Sequence, residues 1–155
     1  MRNIDALKKR LVQNKLLVQL EDGHLEEVTF HFNPPASEKE LKRLPENTPQ
    51  DLLEFLQQNN GATIFNNKLF SVQEILEHID IWDCPKYCLP IGIAWDGQWI
   101  ACQYEVNTGE NKMWLGEFFN FEDEFEKYPL DFSTWLDYLI VAQGTTYWLW
   151  LRYKK

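Results

Sequence analysis

The sequence predicts an α+β fold, a single domain in which helices flank a central sheet. Short apolar runs alternate around Asp-Gly pairs, which is typical of β-hairpins. Other segments place apolar residues at helical spacing behind capping residues. The 155 residues contain no internal repeat and no flexible linker, which favours one domain. The hairpins predict an antiparallel sheet, and a mixed sheet stays open.

The first 32 residues predict a helix followed by a hairpin. Residues 3–14 place apolar side chains at helical spacing, with basic residues on the other side. The predicted buried side of this helix consists of Ile4, Leu7, Leu11 and Val12. Residues 16–20 and 25–32 predict two antiparallel strands with one wet face, joined at Asp22-Gly23.

Two further helices are predicted to begin at capping boxes. Ser37 and Ser71 each precede a glutamate by three residues, at Glu40 and Glu74. In this arrangement the serine hydroxyl and the glutamate carboxylate satisfy each other's backbone N–H groups.

A helix and a compact hairpin are predicted between these two capping boxes. Thr48 is expected to cap the helix, with Pro49 at its first position and Gly61 just beyond its end. Residues 62–70 then predict a hairpin that turns at Asn66-Asn67.

Residues 89–102 predict the central hairpin of the sheet. Asp96-Gly97 favours a two-residue type I′ turn, because that turn needs a positive φ at both central residues. The two strands are apolar on both faces, which predicts a covered position in the middle of the sheet.

The remaining chain predicts one more strand and one more helix. Residues 104–106 continue the second central strand, and residues 112–118 form a further strand. Residues 119–131 are the one acidic segment, and residues 132–142 predict a helix. For residues 145–153 both a strand and a helical turn stay open, because the run is short and strongly aromatic.

The charge balance excludes some partners and favours others. The formal net charge is −9 and the sequence pI is about 4.8, whereas nucleic acids and anionic membranes require a basic surface. We therefore expect no direct nucleic-acid or membrane binding. An acidic surface favours encounter with a basic protein, although the charge is also compatible with a merely solvated surface.

The sequence also predicts a cytoplasmic location. It shows neither a secretory leader nor an apolar run long enough to span a membrane. The cysteines, Cys84, Cys88 and Cys102, are odd in number, so reduced thiols are expected.

The sequence carries no catalytic motif, and we predict neither a cofactor nor a metal. A zinc site at Cys84, Cys88 and His78 is disfavoured because the cysteine spacing departs from Cys-x-x-Cys and a second ligand pair is missing. An enzyme that uses carboxylates of the later strands, such as Glu105 and Glu117, is the weaker alternative.

The sharpest hypothesis from the residues is a protein-binding surface that combines exposed aromatic residues with the acidic segment. Aromatic anchors with complementary charge are typical of tight protein–protein contacts. The expected binding residues are Glu105, Glu110, Glu117, Glu122, Asp123, Glu124, Glu126, Trp114 and Phe119. The alternatives are a solvated acidic loop and, for Trp95, Trp99 and Trp114, ordinary core packing.

The order of several short motifs resembles the SUKH superfamily, specifically the Smi/Knr-type proteins, over residues 33–143. These motifs are Pro35-Ala36-Ser37, Leu44-Pro45, Leu52-x-x-Phe55-Leu56, Asn60-Gly61, Phe70-Ser71, Leu89-Pro-Ile-Gly92, Asp96-Gly97, Gly116-Glu117 and Phe132-x-x-Trp135-Leu136. Residues 1–32 look like an addition to this pattern, and residues 144–155 form an aromatic C-terminal segment.

The resemblance implies a central sheet with flanking helices, and the missing catalytic motif favours a non-enzymatic binding protein. The resemblance further implies a bacterial immunity protein that binds and neutralises a polymorphic toxin, often a nuclease, inside the cell. The alternative is a regulatory scaffold that binds a host protein, since similar eukaryotic domains regulate cell-wall synthesis. Members differ in their partners, so the family assigns no binding residue to this chain.

Overall fold

The computed structural model describes residues 2–20, 22–79, 81, 87–105, 109–116, 126–144 and 147, with the backbone alone for residues 2 and 105. The helices within these residues are α1 (Arg2–Arg10), α2 (Glu38–Leu41), α3 (Gln50–Gln58), α4 (Val72–Ile79) and α5 (Phe132–Val141). The strands are β1 (Lys15–Gln19), β2 (Leu25–Thr29), β3 (His31–Phe32), β4 (Ala62–Ile64), β5 (Asn67–Leu69), β6 (Cys88–Ile93), β7 (Trp99–Glu105), β8 (Glu110–Gly116) and β9 (Glu126–Tyr128).

Seven strands form one antiparallel sheet in the order β3-β4-β5-β6-β7-β8-β9. Each strand pairs with its neighbour in the chain, as in a meander. The α+β prediction is therefore confirmed, and the sheet is antiparallel rather than mixed. β6 and β7 lie in its middle, and the buried side chains along both strands agree with the predicted covered position.

One hydrophobic core joins the N-terminal elements to the main sheet. Ile4 and Leu7 of α1 are buried in the same cluster as Val18 of β1 and Val28 of β2. The largest fully buried side chains include Trp135, Phe30, Phe55, Phe70 and Phe132. The N-terminal residues, which precede the region that resembles the SUKH superfamily, thus pack in the same core as that region.

Both predicted capping boxes are present. The Ser37 Oγ accepts from the Glu40 N–H at 3.3 Å, and the Ser37 N–H donates to the Glu40 carboxylate at 2.8 Å. The same pair of hydrogen bonds joins Ser71 and Glu74, at 3.3 and 2.9 Å. These contacts satisfy N–H groups that the first helical turn leaves without a partner.

The N-terminal helix is shorter than the sequence predicts. It ends at Arg10, and Gln13 and Asn14 then take positive φ values of 53° and 61° as the chain turns into β1. Val12 was expected on the buried side but is 74% exposed. The expectation for Val12 is wrong because helical spacing no longer applies beyond Arg10.

The strand predicted over residues 25–32 is two strands in two sheets. β2 pairs with β1, whereas β3 pairs with β4 of the main sheet. Between them the Phe30 N–H donates to the Asn14 carbonyl at 2.7 Å, and its ring is buried against Phe65. Phe30 therefore lies at the break between the two sheets, with its ring in the core.

The start of α3 corrects the prediction for Thr48 and Pro49. Pro49 is the N-cap residue rather than the first helical residue, and it makes no side-chain capping bond. The Thr48 hydroxyl donates instead to the Pro45 carbonyl at 2.7 Å. Thr48 therefore closes the preceding turn.

Two predicted hairpins are confirmed, but their turns differ from the expected ones. The β4–β5 turn is centred on Phe65 and Asn66, with φ values of 49° and 64°, because Ile64 pairs with Asn67. The turn lies one residue earlier than predicted.

The β6–β7 turn is a three-residue turn rather than type I′. The Ala94 N–H donates to the Gln98 carbonyl, and the Gly97 N–H donates to the Ala94 carbonyl. Gly97 has a φ of 88°, whereas Asp96 is not in the positive region. This geometry is that of a type I turn followed by a left-handed glycine.

The C-terminal helix is confirmed, with Asp131 as its N-cap residue. β9 lies at the end of the predicted acidic segment and was not expected as a strand. Most of residues 145–153 lie outside the described part of the chain, so neither alternative for them is tested; Tyr147 alone is described there, with its ring buried.

Candidate protein-binding surface

Strands β7, β8 and β9 carry the predicted binding residues, and their register fixes which side chains share a face. Trp114 of β8 lies opposite Ala101 of β7 and Lys127 of β9. Because side chains alternate along a strand, Glu110 and Lys112 lie on the same face as Trp114. We call this the outer face, since Met113 and Leu115 on the other face belong to the core.

Trp114 is half-buried on the outer face between an amide and a cation. Its indole Nε1–H donates to the Gln103 Oε1 at 3.1 Å. The Lys127 Nζ lies 5.5 Å from the centroid of its ring, a distance at which a cation is attracted to the π face. The described surroundings of Trp114 are therefore partly basic, although the sequence placed it among carboxylates.

Glu110 lies on the same face of β8 as Trp114, whereas Glu126 lies on the other face of the sheet. Glu110 is exposed, and its carboxylate lies 3.7 Å from the Lys112 Nζ. Glu126 pairs with Leu115 and so lies on the core side of the sheet edge. Its carboxylate accepts a hydrogen bond from the Tyr128 hydroxyl at 2.7 Å.

The other predicted binding residues fall outside what the structure describes. Only the backbone of Glu105 is described, opposite Glu110 in the register. The remaining predicted residues outside the described ranges are Glu117, Phe119, Glu122, Asp123 and Glu124. Their part in binding stays a prediction.

Of the tryptophans of the central hairpin, Trp99 shares a small cluster with Trp114, because both pack against buried Cys88 and Ala101. Trp95 lies on the β6–β7 turn and is 60% exposed. The Trp99 ring packs against His78 and Phe70, with centroid distances of 5.4 and 6.1 Å.

A half-buried carboxylate that no sequence motif marks ties three elements together. The Asp51 Oδ2 of α3 accepts from the Ser133 N–H at 2.9 Å, and its Oδ1 accepts from the Asn111 Nδ2 of β8 at 3.3 Å. Burial raises the pKa of Asp51, and the nearby Asp131 carboxylate adds to the rise against the hydrogen bond from Ser133. Asp51 thus positions the start of β8 against α3 and α5.

Asn67 is a second overlooked residue, because the sequence assigned it to a hairpin turn. It is fully buried, and its Nδ2 donates to the carbonyls of Ile64 and Phe65, both at 3.0 Å. Its Oδ1 accepts from the Trp95 N–H at 3.2 Å. An Asn-Asn pair beside a strand favours a turn, but nothing local shows which amide points inward.

Metal-binding clusters are absent from the described ranges, which hold no group of three or more His, Cys, Asp or Glu side chains. Cys84 of the disfavoured zinc site lies outside those ranges. Burial raises the pKa of the Cys102 thiol well above its usual value, so this cysteine is poorly suited to nucleophilic chemistry.

The structure defines an α+β domain built on an antiparallel meander, with Trp114 half-buried on its outer face. Residues 35–139 match the SMI1 / KNR4 family (SUKH-1), and the chain belongs to that family. It is also 32% identical over 134 residues to the uncharacterized protein YnaB of Bacillus subtilis (strain 168), covering 80% of this chain and 90% of YnaB. No solved structure matches the chain.

In the part of the chain that the structure describes, no helix is both long enough and apolar enough to cross a lipid bilayer.

Proposed function

We propose that this protein is an immunity protein, which binds and neutralises a protein toxin inside the cell that produces the immunity protein. Membership of the SMI1 / KNR4 (SUKH-1) family is the observation that carries the proposal. The resemblance of its ordered motifs to immunity proteins supports the same role, with inhibition by occlusion rather than by catalysis.

The net charge of −9 supports a basic toxin as the partner. Complementary charge raises the rate of encounter, and salt screens the effect. On the outer face, Glu110 and Trp114 are the described residues proposed to contact the toxin, together with the acidic segment that follows β8.

Co-expression with the protein encoded by the adjacent gene tests the proposal. We expect that protein alone to stop growth, and co-expression to restore it through a stoichiometric complex on size-exclusion chromatography. The association rate should fall by about an order of magnitude between low and high salt. If no adjacent gene product is toxic or binds, the proposal fails, and a complex with a host protein would instead indicate a regulatory scaffold.

Two charge variants locate the contact within the complex. Glu110→Gln should slow association, because it removes a charge from the proposed surface without changing shape. Glu38→Gln, on exposed α2, is the matched control and should leave the rate unchanged. Equal effects of the two variants would show that total charge matters and not the outer face.

A further inference from the structure

A groove of about 390 Å³ lies between the N-terminal hairpin and the main sheet. The β1–β2 hairpin forms one side through Leu20, Asp22 and Glu26. The turns after β4 and β6 contribute Phe65 and Trp95, and the chain just after α5 contributes Gly144. The groove therefore lies where the N-terminal hairpin meets two turns of the main sheet and the chain just after α5.

The walls of this groove are held in place by contacts behind them. Buried Asn67 connects the Phe65 carbonyl to the Trp95 N–H, so the two turns form one unit. The Phe65 ring packs edge-on against Phe30 at 4.8 Å. On the opposite side, the Gln19 N–H donates to the Gln143 Oε1 at 3.2 Å and ties the hairpin to the end of α5. A preformed site loses little freedom when it binds.

Two large apolar side chains are left open to solvent along the groove. Trp95 is 60% exposed and Leu20 is 40% exposed. Tryptophan is enriched among the residues that dominate protein–protein binding, and its large ring gives much contact area. These side chains fit an apolar side chain inserted between them.

The charge of the groove selects among possible occupants. Asp22 and Glu26 are exposed carboxylates on its rim, and its described lining contains neither Lys nor Arg. Phosphate-bearing ligands are disfavoured there. A second copy of this chain is disfavoured as well, because it also carries a net charge of −9. A positively charged protein segment fits both the acidic rim and the apolar walls.

We propose that this groove docks a basic segment of the partner protein. One large apolar side chain of that segment inserts between Trp95 and Leu20, and a neighbouring Lys or Arg pairs with Asp22 and Glu26. This inference rests on the proposed function, because it names a surface that a basic toxin would contact in addition to the outer face.

Short peptides test the chemistry of the groove without a toxin. The full-length ¹⁵N-labelled chain is titrated with acetyl-Arg-Leu-Arg-amide and, as a matched probe, acetyl-Glu-Leu-Glu-amide. We expect the basic peptide to shift the Gly144 amide and the Trp95 indole resonance with millimolar affinity, and the acidic peptide to shift neither. The double variant Asp22→Asn/Glu26→Gln should weaken the basic peptide several-fold, whereas Glu38→Gln/Glu54→Gln should not. Equal response to both peptides, or no response at Gly144 and Trp95, overturns the proposal.

The toxin complex separates this inference from the proposed function. Trp95→Ala should raise the Kd by about 30-fold or more, as expected for a tryptophan hot spot. Val12→Ala, at an exposed apolar position outside the groove, is the control and should leave the Kd unchanged. If a toxin binds and Trp95→Ala has no effect, the groove inference is overturned while the proposed function stands. If no toxin binds but the basic peptide does, the proposed function fails and the groove inference stands.

Discussion

Asn67 shows how one buried polar side chain organises two neighbouring turns. Its amide uses both donors and its acceptor on backbone groups of the β4–β5 and β6–β7 turns. A buried amide with every bond made is stabilising, whereas a buried group left without a partner is costly. Trp95 is therefore exposed on rigid backbone rather than on a loose loop.

Asn67→Ala should lower the free energy of unfolding by about 2–4 kcal/mol, because it removes the three hydrogen bonds of a buried amide. Urea denaturation followed by circular dichroism measures the loss. Asn66→Gly is the matched control in the same turn, since a φ of 64° suits glycine. It should change stability by less than about 0.5 kcal/mol, and equal losses would contradict the role given to Asn67.

Asp131 provides a residue-scale test that depends on pH. Its carboxylate accepts from the Thr134 N–H at 2.7 Å and caps α5. Partial burial alone would raise the pKa of Asp131, but hydrogen bonds from Thr134 and Ser133 outweigh it, so the pKa lies below its usual value. A carboxylate with a lowered folded-state pKa stabilises the fold above its unfolded pKa, and this stabilisation disappears as the pH falls through the folded pKa.

Asp131→Ala should therefore cost about 1 kcal/mol at neutral pH. The gap to the natural protein should narrow below about pH 4, where the carboxylate of the unfolded chain takes up its proton. Urea denaturation at several pH values across this range measures the difference in unfolding free energy. Asp131→Ser is the control, because serine can cap the helix but carries no titratable group. If the difference in unfolding free energy stays constant with pH, the loss comes from the shape of the side chain and not from its charge.

At the scale of elements, the two turns on the groove differ in how closely they are packed. Gly144 has a φ of 77°, and a Cβ there would overlap the Cβ of Phe65. Gly97 has a similar φ of 88°, but a Cβ would meet nothing within 4 Å. Substitution of Gly97 thus tests backbone strain alone, whereas substitution of Gly144 tests backbone strain together with crowding.

Gly97→Ala should cost about 1–2 kcal/mol, because only the left-handed backbone is strained. Gly144→Ala should add an overpacking cost of about 1–3 kcal/mol. Thermal and urea unfolding of the two variants compare these losses directly. Equal losses would mean that Phe65 moves aside freely, and that this wall of the groove is not preformed.

Elements that depend on residues close together in the sequence could be predicted, whereas strands that form only by pairing with another strand could not. The Ser71–Glu74 capping box and the central hairpin depend on neighbouring residues, and both are confirmed. β9 has only three residues in an acidic stretch, and it becomes a strand because Met113 and Leu115 of β8 pair with it. Asp96-Gly97 is compatible with a two-residue type I′ turn and with a three-residue turn. Because Ile93 pairs with Trp99 and Ala94 bonds to Gln98, three residues are left in the turn.

The same distinction explains what could be predicted of the binding surfaces. Alternation along the predicted strand of residues 112–118 could place Lys112 and Trp114 on one face, whereas Glu110 joins that face because the strand begins at residue 110. The groove could not be predicted, because Leu20, Phe65 and Gly144 are far apart in the chain and meet only in the fold.

At the scale of the whole molecule, the N-terminal residues are part of the core although they precede the family match at residues 35–139. They bury Ile4, Leu7, Val18, Val28 and Phe30. Lys8 also donates to the Asn59 Oδ1 at 2.5 Å and lies over the Phe32 ring at 4.5 Å. The N-terminal helix and hairpin therefore share one core with the residues of the family match.

Deletion of residues 1–32 should consequently abolish cooperative folding. Each buried side chain of this size stabilises the fold by about 1.5–3 kcal/mol, and the five together approach the whole net stability of a domain, about 5–15 kcal/mol. The truncated chain should show no sharp thermal transition and should bind a dye for exposed apolar surface.

Two full-length variants measure how much single N-terminal side chains contribute to the free energy of unfolding. Leu7→Ala should cost about 2–5 kcal/mol, whereas Leu17→Ala, on the exposed side of β1, should cost less than about 0.5 kcal/mol. A truncated chain that melts as sharply as the full-length protein would show instead that residues 33–155 form a core of their own, and that the N-terminal hairpin serves only to build the groove.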